Sequence, residues 1–390
     1  MSARRICIVG LDSFGMLAGE DQTKYIGGEA IQHVLLARAW RDLGHQVSMI
    51  VHDEGQGARR EIDGITAIAA HTRHGGVPGL RFFHPRATKL LSALMAADAE
   101  IYYQSPASAH TGFTAWFCGA TGRKFIFRVA SDSDCDPEHG RLRYWRDRKL
   151  YDYGLRRADL VAAQTEFQAR LLRMNHELDS EVLSMLVEAP RGPNNVAKDI
   201  DVLWVGNLRA LKRPELALEL ARQLPDVRFT LAGGPMPGDQ TYYDDVAAAA
   251  ARLPNLTMLG PVRYRDSGAL FDRARIFLNT SSIEGFPNTF LQAWIRGVPV
   301  VTFFDPDALV KRMALGRVAV SLDEMRDAIR ALLQDEGERQ LLGQLAREFA
   351  TREYTTGVAA RYLDLLERRA PATRAAAPAA KPKIHGAPLP

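Results

Sequence analysis

Cysteine is scarce in this sequence, and its distribution excludes several kinds of site. The chain of 390 residues contains only Cys7, Cys118 and Cys135, which are far apart and form no CxxC pair. An odd number of widely spaced cysteines supports neither a disulfide framework nor a zinc site. We therefore expect the protein to work in a reducing cytoplasm.

Long apolar runs and a strong net charge are also missing. No segment approaches the run of about 20 apolar residues that spans a bilayer, and the first residues lack the apolar stretch of a signal peptide. If the protein works at a membrane, we expect it to lie on the cytoplasmic surface. The net charge of +4 is too small over this length to predict nucleic-acid binding.

The sequence does contain a repeated alternation of apolar strands and helical segments. In the first half, strands such as Ile6 to Val9 and KFIFRVA (124–130) alternate with helical stretches such as AIQHVLLARAWRDLG. The stretch from Glu188 to Asp199 is rich in Pro, Gly and Asn, which predicts a linker. After it the alternation restarts with DVLWVG. This pattern is typical of α/β proteins with doubly wound, mainly parallel sheets.

The composition predicts four parts of the chain. Residues 1–190 form a first Rossmann-like domain, residues 191–350 form a second, and residues 351–369 form a C-terminal helix. Residues 370–390, which are rich in Ala and Pro, form a disordered tail. Two such domains place a cleft between them, and the carboxyl ends of both sets of strands can face it.

Two loops of the second half are candidates for binding an anion. SSIEGFPNTF (281–290) follows a predicted strand with an acid, a loop and a helix start, and Pro287 is typical of a first helical turn, whose N–H groups attract negative charge. Arg209 and Lys212 precede the helix that Pro214 begins and could complete a diphosphate clamp. Taken singly, the first segment could be an ordinary turn and the second a solvated loop.

Several motifs follow one another in a recognisable order. They are VGNLRALKRP after a strand, a strand ending in Gly-Gly-Pro, LTMLGPV, and SxxEGFPN followed by AWxxGVPVV. In the first half, GGEAIQHVLLARAWRDLGHQVSMIV and ADLVAAQTEFQ complete the series. The ordered set, over roughly residues 5 to 365, resembles the family 4 glycosyltransferases. The resemblance implies a retaining enzyme with the GT-B fold, in which the C-terminal helix crosses back to the first domain.

The resemblance also implies that the second domain holds a nucleotide-sugar donor and the first holds the acceptor. Glu284 fills the first place of the family's E-x7-E motif, near the sugar, and Gln292 fills the second, near the ribose. The expected catalytic residues are Glu284, Arg209, Lys212 and Asp132. The other expected donor-binding residues lie in loops around the cleft: Gly27, Gly28, Gly206, Gly233, Gly260, Gly285, Phe286, Pro287, Asn288 and Thr289.

The chain departs from the family pattern at two further places. Asn207 replaces the Arg that often follows the glycine of the phosphate loop, and Arg209 is the expected substitute. Where many members carry a His, this chain has Ala130, Ser131 and Asp132. The resemblance then implies that Ser131 or Asp132 serves the sugar or the acceptor hydroxyl.

The loop after KFIFRVA also offers a metal motif. Asp132 and Asp134 form a D-x-D pattern, which GT-A glycosyltransferases use to hold a divalent cation against a diphosphate. A plain polar loop is the other interpretation. Because Arg209 and Lys212 would neutralise phosphate without a metal, we expect neither a metal nor a cofactor besides the nucleotide-sugar. A metal-dependent transferase is an alternative.

Two segments combine cations with aromatic rings. They are RFFHPRATK (81–89) and RLRYWRDRKLYDYGLRR (141–157). They could lie on an anionic membrane surface, with cations on phosphates and rings at headgroup level. A solvated helix whose aromatic side chains pack inward is equally compatible with the pattern. An acceptor that bears a lipid diphosphate would favour the membrane interpretation.

Together these expectations describe a retaining glycosyltransferase. It would move a sugar from a UDP- or GDP-sugar to a glycan or lipid-linked glycan, in surface polysaccharide biosynthesis. One alternative is a nucleotide-sugar-binding relative that acts as a non-catalytic partner subunit, because the His and the second acid are missing. Another is a GT-B epimerase or phosphorylase.

Overall fold

The computed structural model describes residues 2–19, 27–136, 142–190, 196–236 and 238–368. Arg141, which begins the second basic segment, lies outside these ranges. So do residues 191–195 of the predicted linker and the predicted tail, 370–390. In the described ranges, no helix is both long enough and apolar enough to cross a bilayer.

The first sheet has eight strands, in the order β3-β4-β2-β1-β5-β6-β7-β8. The strands are β1 (Arg5–Val9), β2 (Gln46–Val51), β3 (Arg59–Ile62), β4 (Ile65–Ala69), β5 (Ile101–Gln104), β6 (Lys124–Arg128), β7 (Leu160–Ala163) and β8 (Glu181–Val182). All neighbours are parallel except β3 and β4. Strand β3 was not predicted from the sequence, because this edge strand is charged and exposed and lacks the apolar run of a buried parallel strand.

The second sheet has six parallel strands, in the order β11-β10-β9-β12-β13-β14. They are β9 (Ile200–Val205), β10 (Phe229–Ala232), β11 (Leu256–Met258), β12 (Ala274–Asn279), β13 (Val300–Thr302) and β14 (Gly316–Val318). In chain order this is the 3-2-1-4-5-6 arrangement of a doubly wound sheet. The strand order reverses between β9 and β12, so a crevice is expected beyond their carboxyl ends.

Helices cover both sheets. In the first half they are α1 (Phe14–Ala18), α2 (Gly28–Asp42), α3 (Thr88–Ala97), α4 (Ala109–Thr121), α5 (Trp145–Leu155) and α6 (Glu166–His176). In the second half they are α7 (Pro214–Gln223), α8 (Gln240–Ala250), α9 (Tyr264–Arg273), α10 (Asn288–Trp294), α11 (Leu309–Arg312), α12 (Leu322–Gln334), α13 (Glu336–Glu353) and α14 (Gly357–Arg368). Buried apolar side chains line both faces of each sheet in separate clusters.

The last helix leaves the second domain and packs on the first. Trp40 of α2 donates its indole N–H to the carbonyl of Ala359 at 2.9 Å. The ring of Tyr362 packs edge-on against Trp40 and Tyr103, with centroids 6.1 and 5.8 Å apart. Aromatic pairs of this geometry stabilise an interface beyond their buried area. The predicted crossing of the C-terminal helix back to the first domain is confirmed.

Candidate active site

Two predicted catalytic side chains meet at the crevice of the second sheet. Lys212 follows β9 and Glu284 follows β12, and the two form an ion pair. Ser281 Oγ donates to Glu284 Oε1 at 2.6 Å, and Asn279 Nδ2 lies 3.4 Å from the same oxygen. The Glu284 side chain is only 9% exposed. Because its contacts among the described residues go to Oε1, Oε2 can accept a hydrogen bond from a hydroxyl group.

Arg209 adds a second cation beside Lys212. The pKa of Lys212 is lowered, mainly by burial. The Glu284 carboxylate opposes this shift, and the charge of Arg209 adds to it. Arg209 Nε is buried and lacks a hydrogen-bond partner within the described part of the chain. A buried guanidinium N–H without a partner, next to a lysine, is suited to an anionic ligand.

Hydrogen bonds between the two loops fix this geometry. Thr280 Oγ1 accepts a hydrogen bond from Trp204 Nε1 at 3.0 Å and donates to the carbonyl of Lys212 at 2.7 Å. Ser282 donates both its backbone N–H and its hydroxyl to the carbonyl of Leu211, at 2.9 and 3.1 Å. The backbone that carries the Lys212 ammonium group is therefore fixed by the protein itself, as electrostatic catalysis requires.

The first domain meets the loop SSIEGFPNTF (281–290), which we name the donor loop, at two glycines. Asn288 Nδ2 donates to the carbonyl of Gly28 at 3.1 Å, and Asn288 Oδ1 accepts from Gln32 Nε2 at 2.6 Å. A Cβ on Gly28 would lie 2.6 Å from Asn288 Nδ2, and one on Gly285 would lie 2.6 Å from the carbonyl oxygen of Ala130. Gly285 is thus required for the close approach of the two domains, because it meets backbone, whereas a side chain at Gly28 would displace the Asn288 amide.

Other contacts across the cleft were not predicted from the sequence. The Asp307 carboxylate accepts from the backbone N–H groups of Glu166 and Phe167, at 2.7 and 3.0 Å, and so caps α6 of the other domain. Phe286 N donates to Gln164 Oε1 at 3.1 Å. In the sequence, Asp307 lies in an unremarkable polar loop, so no signal marked it as a helix cap.

A buried ion pair lies next to Gly27 and Gly28, which we name the glycine loop. It was not predicted from the sequence either. Glu29, in the first turn of α2, accepts from Arg128 Nη2 at 2.8 and 2.9 Å and from Ser105 Oγ at 2.6 Å. The Arg128 side chain, at the end of β6, is 2% exposed. Burial raises the pKa of Glu29, but the charges of Arg128 and then His33 lower it by more. An arginine within the apolar run of KFIFRVA (124–130) was the available signal.

The aspartates of the D-x-D motif bind groups of the protein. Asp134, which is buried, accepts from Ala130 N at 2.8 Å and lies 3.5 Å from Ala107 N. Asp132 accepts from Gln168 Nε2 at 3.0 Å. In the described ranges, no three His, Cys, Asp or Glu residues come together as metal ligands. The two carboxylates fix the loop after β6, and a role for Asp132 at the sugar stays a prediction.

The remaining residues of the donor loop differ in their surroundings. Helix α10 begins at Asn288, and Pro287, whose ψ of 118° is extended, is its N-cap residue, so these residues lie at the start of the helix as predicted. Phe286 packs among aromatic rings of the core. Gln292 is buried and hydrogen-bonds to Tyr264. Donor binding by these residues stays a prediction.

The other predicted glycines lie at the ends of strands or helices. Gly206, Gly233 and Gly260 follow β9, β10 and β11. A Cβ on Gly233 would collide with the carbonyl of Gly206, so this glycine lets the two strand ends approach each other. Gly27 is the N-cap residue of α2, and Thr289 lies in the first turn of α10. Their roles in donor binding also stay predictions.

A cavity of about 430 Å³ opens at the carboxyl ends of β13 and β14. Its lining includes Arg213, Phe303 and Ser321, and the Arg213 guanidinium lies 4.9 Å from the centroid of the Phe303 ring. We expect the nucleotide base to lie near the loops that follow β10 and β11, on the other side of Lys212. The position of the base is therefore a prediction.

Family models match both halves of the chain. A "Glycosyl transferase 4-like domain" matches residues 27–185, and "Glycosyl transferases group 1" matches residues 199–335. The chain belongs to the family 4 glycosyltransferases. The resemblance that the motifs indicated is confirmed, and the chain is placed among the transferases.

A curated relative of this family 4 glycosyltransferase is the D-inositol 3-phosphate glycosyltransferase of Mycobacterium sp. strain KMS. The two are 28% identical over 161 residues, which is 37% of this chain. The chain covers only 37% of the length of that relative. The match supports the family but leaves the activity of the relative as a proposal for this chain.

Solved structures establish the fold of this family member. Sucrose-phosphate synthase from Thermosynechococcus elongatus aligns with a TM-score of 0.72 at 16% identity, over 93% of this chain and 98% of the other. HepE of Anabaena, solved with UDP and glucose, aligns with a TM-score of 0.73 at 16% identity, over 94% and 100%. The predicted GT-B fold, with two Rossmann-like domains that face each other across a cleft, is confirmed.

Proposed function

We propose that this glycosyltransferase transfers a sugar, with retention of configuration, from a nucleotide-sugar to a hydroxyl group of a glycan. The observation that carries the proposal is the pairing of Lys212 with Glu284 at the switch point of the second sheet, with Arg209 beside it. This arrangement combines positive charge for a diphosphate with an acceptor for sugar hydroxyls. Opposite it, the first domain presents Gly28.

Charge stabilisation is the main contribution that we propose for these residues. Negative charge builds on the diphosphate as the bond between sugar and phosphate breaks, and Lys212 and Arg209 would stabilise it at that stage. In the structure Lys212 has Glu284 as its partner. When the donor binds, the phosphate would take over the lysine, and the Glu284 carboxylate would accept hydrogen bonds from the sugar. The ion pair thus holds both groups in place before the donor arrives.

No separate protein base is needed in this proposal. Asp132 and Asp134 are engaged by Gln168 and by backbone N–H groups of the loop after β6. The leaving phosphate would itself take the proton of the acceptor hydroxyl. Because the carboxylates of Asp132 and Asp134 accept hydrogen bonds from groups of the protein, we also propose that they hold no divalent cation and that transfer needs none.

The donor is proposed to be a UDP- or GDP-sugar, in line with HepE, which was solved with UDP and glucose. We propose a glycan or lipid-linked glycan as the acceptor, at the cytoplasmic face of a membrane and in the synthesis of surface polysaccharide. A polyol phosphate is a further acceptor worth testing, because the curated relatives are named for D-inositol 3-phosphate.

The test of the reaction is release of nucleotide diphosphate from a panel of UDP- and GDP-sugars, with glycan acceptors, lipid-linked glycans and inositol phosphate. We expect release that depends on the acceptor, and a product whose anomeric configuration matches the donor by NMR. Excess chelator should leave the rate unchanged in the wild type and in Asp132→Asn.

Each alternative has its own outcome in this experiment. Binding of a nucleotide-sugar without release under every condition would support the non-catalytic partner subunit. Loss of activity with chelator, restored by a divalent cation, would support the metal-dependent transferase. Epimerisation or phosphorolysis of the substrate would identify the protein as a GT-B epimerase or phosphorylase.

A membrane contact is supported by the two basic and aromatic segments, which meet in the fold. The Arg146 guanidinium lies 4.1 Å from the ring centroid of Phe82 and 4.8 Å from that of Tyr144. The side chains of Phe83 and Trp145 are 66% and 70% exposed. The aromatic-basic patch, as we name it, comprises Val77, Leu80, Phe83, Arg143, Tyr144, Trp145, Arg146 and Lys149. Exposed rings among cations fit an anionic lipid surface.

Replacing Phe83 and Trp145 with serine should weaken binding to phosphatidylglycerol vesicles by about tenfold or more, because two large side chains lose their burial in lipid. Cosedimentation measures the affinity, which should also fall as salt rises. The matched control is Met174→Ser with Leu341→Ser, two exposed apolar residues outside the patch. Equal binding by the wild type and by Phe83→Ser/Trp145→Ser would contradict the proposed contact.

A further inference from the structure

Three histidines of the first domain come together at the carboxyl ends of its strands. His52 follows β2, His71 follows β4, and His110 lies in the first turn of α4, after β5. The ring centroids of His52 and His71 are 5.0 Å apart, and those of His71 and His110 are 6.3 Å apart. Because β4, β2, β1 and β5 are neighbours, the carboxyl ends of adjacent strands supply the cluster. Ligands of doubly wound sheets bind at this edge.

Two arginines and one acid complete the cluster. Asp12, which follows β1, forms an ion pair with Arg73 and lies 3.5 Å from His52 Nε2. Arg86 Nη2 donates to the carbonyl of Arg73 at 3.4 Å. Asp12 thus balances the charge of Arg73, whereas none of the described carboxylates forms an ion pair with Arg86. The cluster therefore carries an excess of positive charge.

His71 offers a hydrogen-bond acceptor to this site. Its Nδ1 lies 2.9 Å from the carbonyl of Thr72, which assigns the proton to Nδ1 and a lone pair to Nε2. Burial and the charge of Arg86 lower the pKa of the ring, which favours this neutral form. The residue is 4% exposed, and Nε2 has no hydrogen-bond partner in the described ranges.

Arg86 offers a hydrogen-bond donor to the same site. Its Nε is buried and also lacks a hydrogen-bond partner among the described residues. Buried polar atoms are rarely left without a partner, so two in one cluster indicate a ligand that supplies both. A hydroxyl group would donate to His71 Nε2, and an anionic oxygen would accept from Arg86.

We propose that His71, His110 and Arg86 form an acceptor subsite, which binds a phosphate group together with a nearby hydroxyl. The inference rests on the proposed transfer reaction, because it places the acceptor at this edge of the first domain. Ser105, which follows β5, binds Glu29 at the same edge, beneath the glycine loop that meets the donor loop. The subsite therefore lies at the carboxyl ends of the strands of the first sheet, as does Gly28, which contacts Asn288 of the second domain.

The phosphate has two possible sources, and the position of Arg86 allows either. Arg86 belongs to the helical turn Phe82–Ala87, which also contributes Phe83 to the aromatic-basic patch. A phosphate on a lipid lying against the patch would be close to Arg86, and a soluble sugar or polyol phosphate would enter from the cleft. The chemistry of the subsite is the same for both.

The test is calorimetric titration of the full chain with two probes, glycerol 3-phosphate and dihexanoyl phosphatidic acid, which is a soluble lipid phosphate. We expect at least one probe to bind. Arg86→Gln should weaken its binding by about tenfold or more, the usual cost of losing a hydrogen bond to a charged group, and His71→Phe by about fivefold, the usual cost of losing a neutral one. Binding of the first probe indicates a soluble acceptor, and binding of the second alone indicates a lipid.

A matched control is His45→Phe, a buried histidine that bonds to Arg4 N at the opposite edge of the same sheet. This variant should bind the probes like the wild type. The far-UV circular dichroism spectrum and the unfolding transition, measured in parallel, should be unchanged in all variants and show whether each variant is folded. If neither probe binds, or if folded Arg86→Gln and His71→Phe bind as the wild type does, the subsite is refuted.

The outcome is separable from that of the proposed reaction. Failure of nucleotide release with every donor would refute the transfer activity, while the titrations would still report on the subsite. Conversely, acceptor-dependent release together with unchanged phosphate binding in the variants would refute the subsite alone.

Discussion

Replacing Lys212 with alanine should lower the turnover number for sugar transfer by about 10²- to 10³-fold, the usual cost of losing one preorganised group that stabilises transition-state charge. The loss has two physical sources. The leaving diphosphate loses its partly buried cation, and Glu284, with a side chain 9% exposed, loses its partner. The measurement is the steady-state rate of nucleotide diphosphate release, together with the affinity for the nucleotide.

Two further variants separate these sources. Glu284→Gln leaves Lys212 without a carboxylate, and the double variant removes both charges. If the pair acts as a unit, the double variant should lose less than the product of the single losses. The matched control is Lys124→Ala, which breaks a lysine-aspartate pair with Asp159 at the amino end of β6. Near-normal release by Lys212→Ala would remove the basis for the proposed mechanism.

Replacing Glu29 with alanine should destabilise the protein by about 3–5 kcal/mol, because it leaves the Arg128 guanidinium buried without its counter-charge. The Arg128 side chain is 2% exposed, so the guanidinium is poorly hydrated once the carboxylate is lost. The free energy of unfolding can be measured by denaturant titration, with the fluorescence of the five tryptophans, which include the buried Trp40 of α2, as the probe.

Exposed ion pairs provide the comparison for this effect. Glu100→Ala removes a carboxylate that pairs with Arg4, where both side chains are about 40% exposed, and it should cost about 1 kcal/mol or less. Replacing Glu29 and Arg128 together with glutamine and methionine should recover much of the loss, since no charge is then left unpaired. Equal free energies of unfolding for Glu29→Ala and Glu100→Ala would show that the buried ion pair stabilises the protein no more than an exposed one.

The buried pair also connects the two domains. Gln164 Nε2 lies 3.4 Å from Glu29, and Gln164 Oε1 accepts from Phe286 N of the donor loop. The position of the donor loop therefore depends on groups in the first domain. We expect Glu29→Ala, if it folds, to weaken nucleotide binding although Glu29 does not touch the donor crevice directly.

The strands, the helices and the two-domain arrangement could be predicted because each leaves a local pattern. Apolar runs mark the buried parallel strands, and glycine and proline mark the ends of helices. The edge strand β3 escaped, because it is charged and is held by pairing with β4. The helix start predicted after SSIEGFPNTF was confirmed, with Pro287 as the N-cap residue of α10.

By itself, the sequence determined the family, the fold class and the loops that carry Arg209, Lys212 and Glu284, because ordered motifs and local periodicity are written along the chain. Only the tertiary structure decided which side chains meet. Lys212 and Glu284 are 72 residues apart in sequence, and Glu29 and Arg128 are 99 apart. Such pairs form because parallel strands bring distant loops to one edge of a sheet, and strand order is not encoded in any single segment.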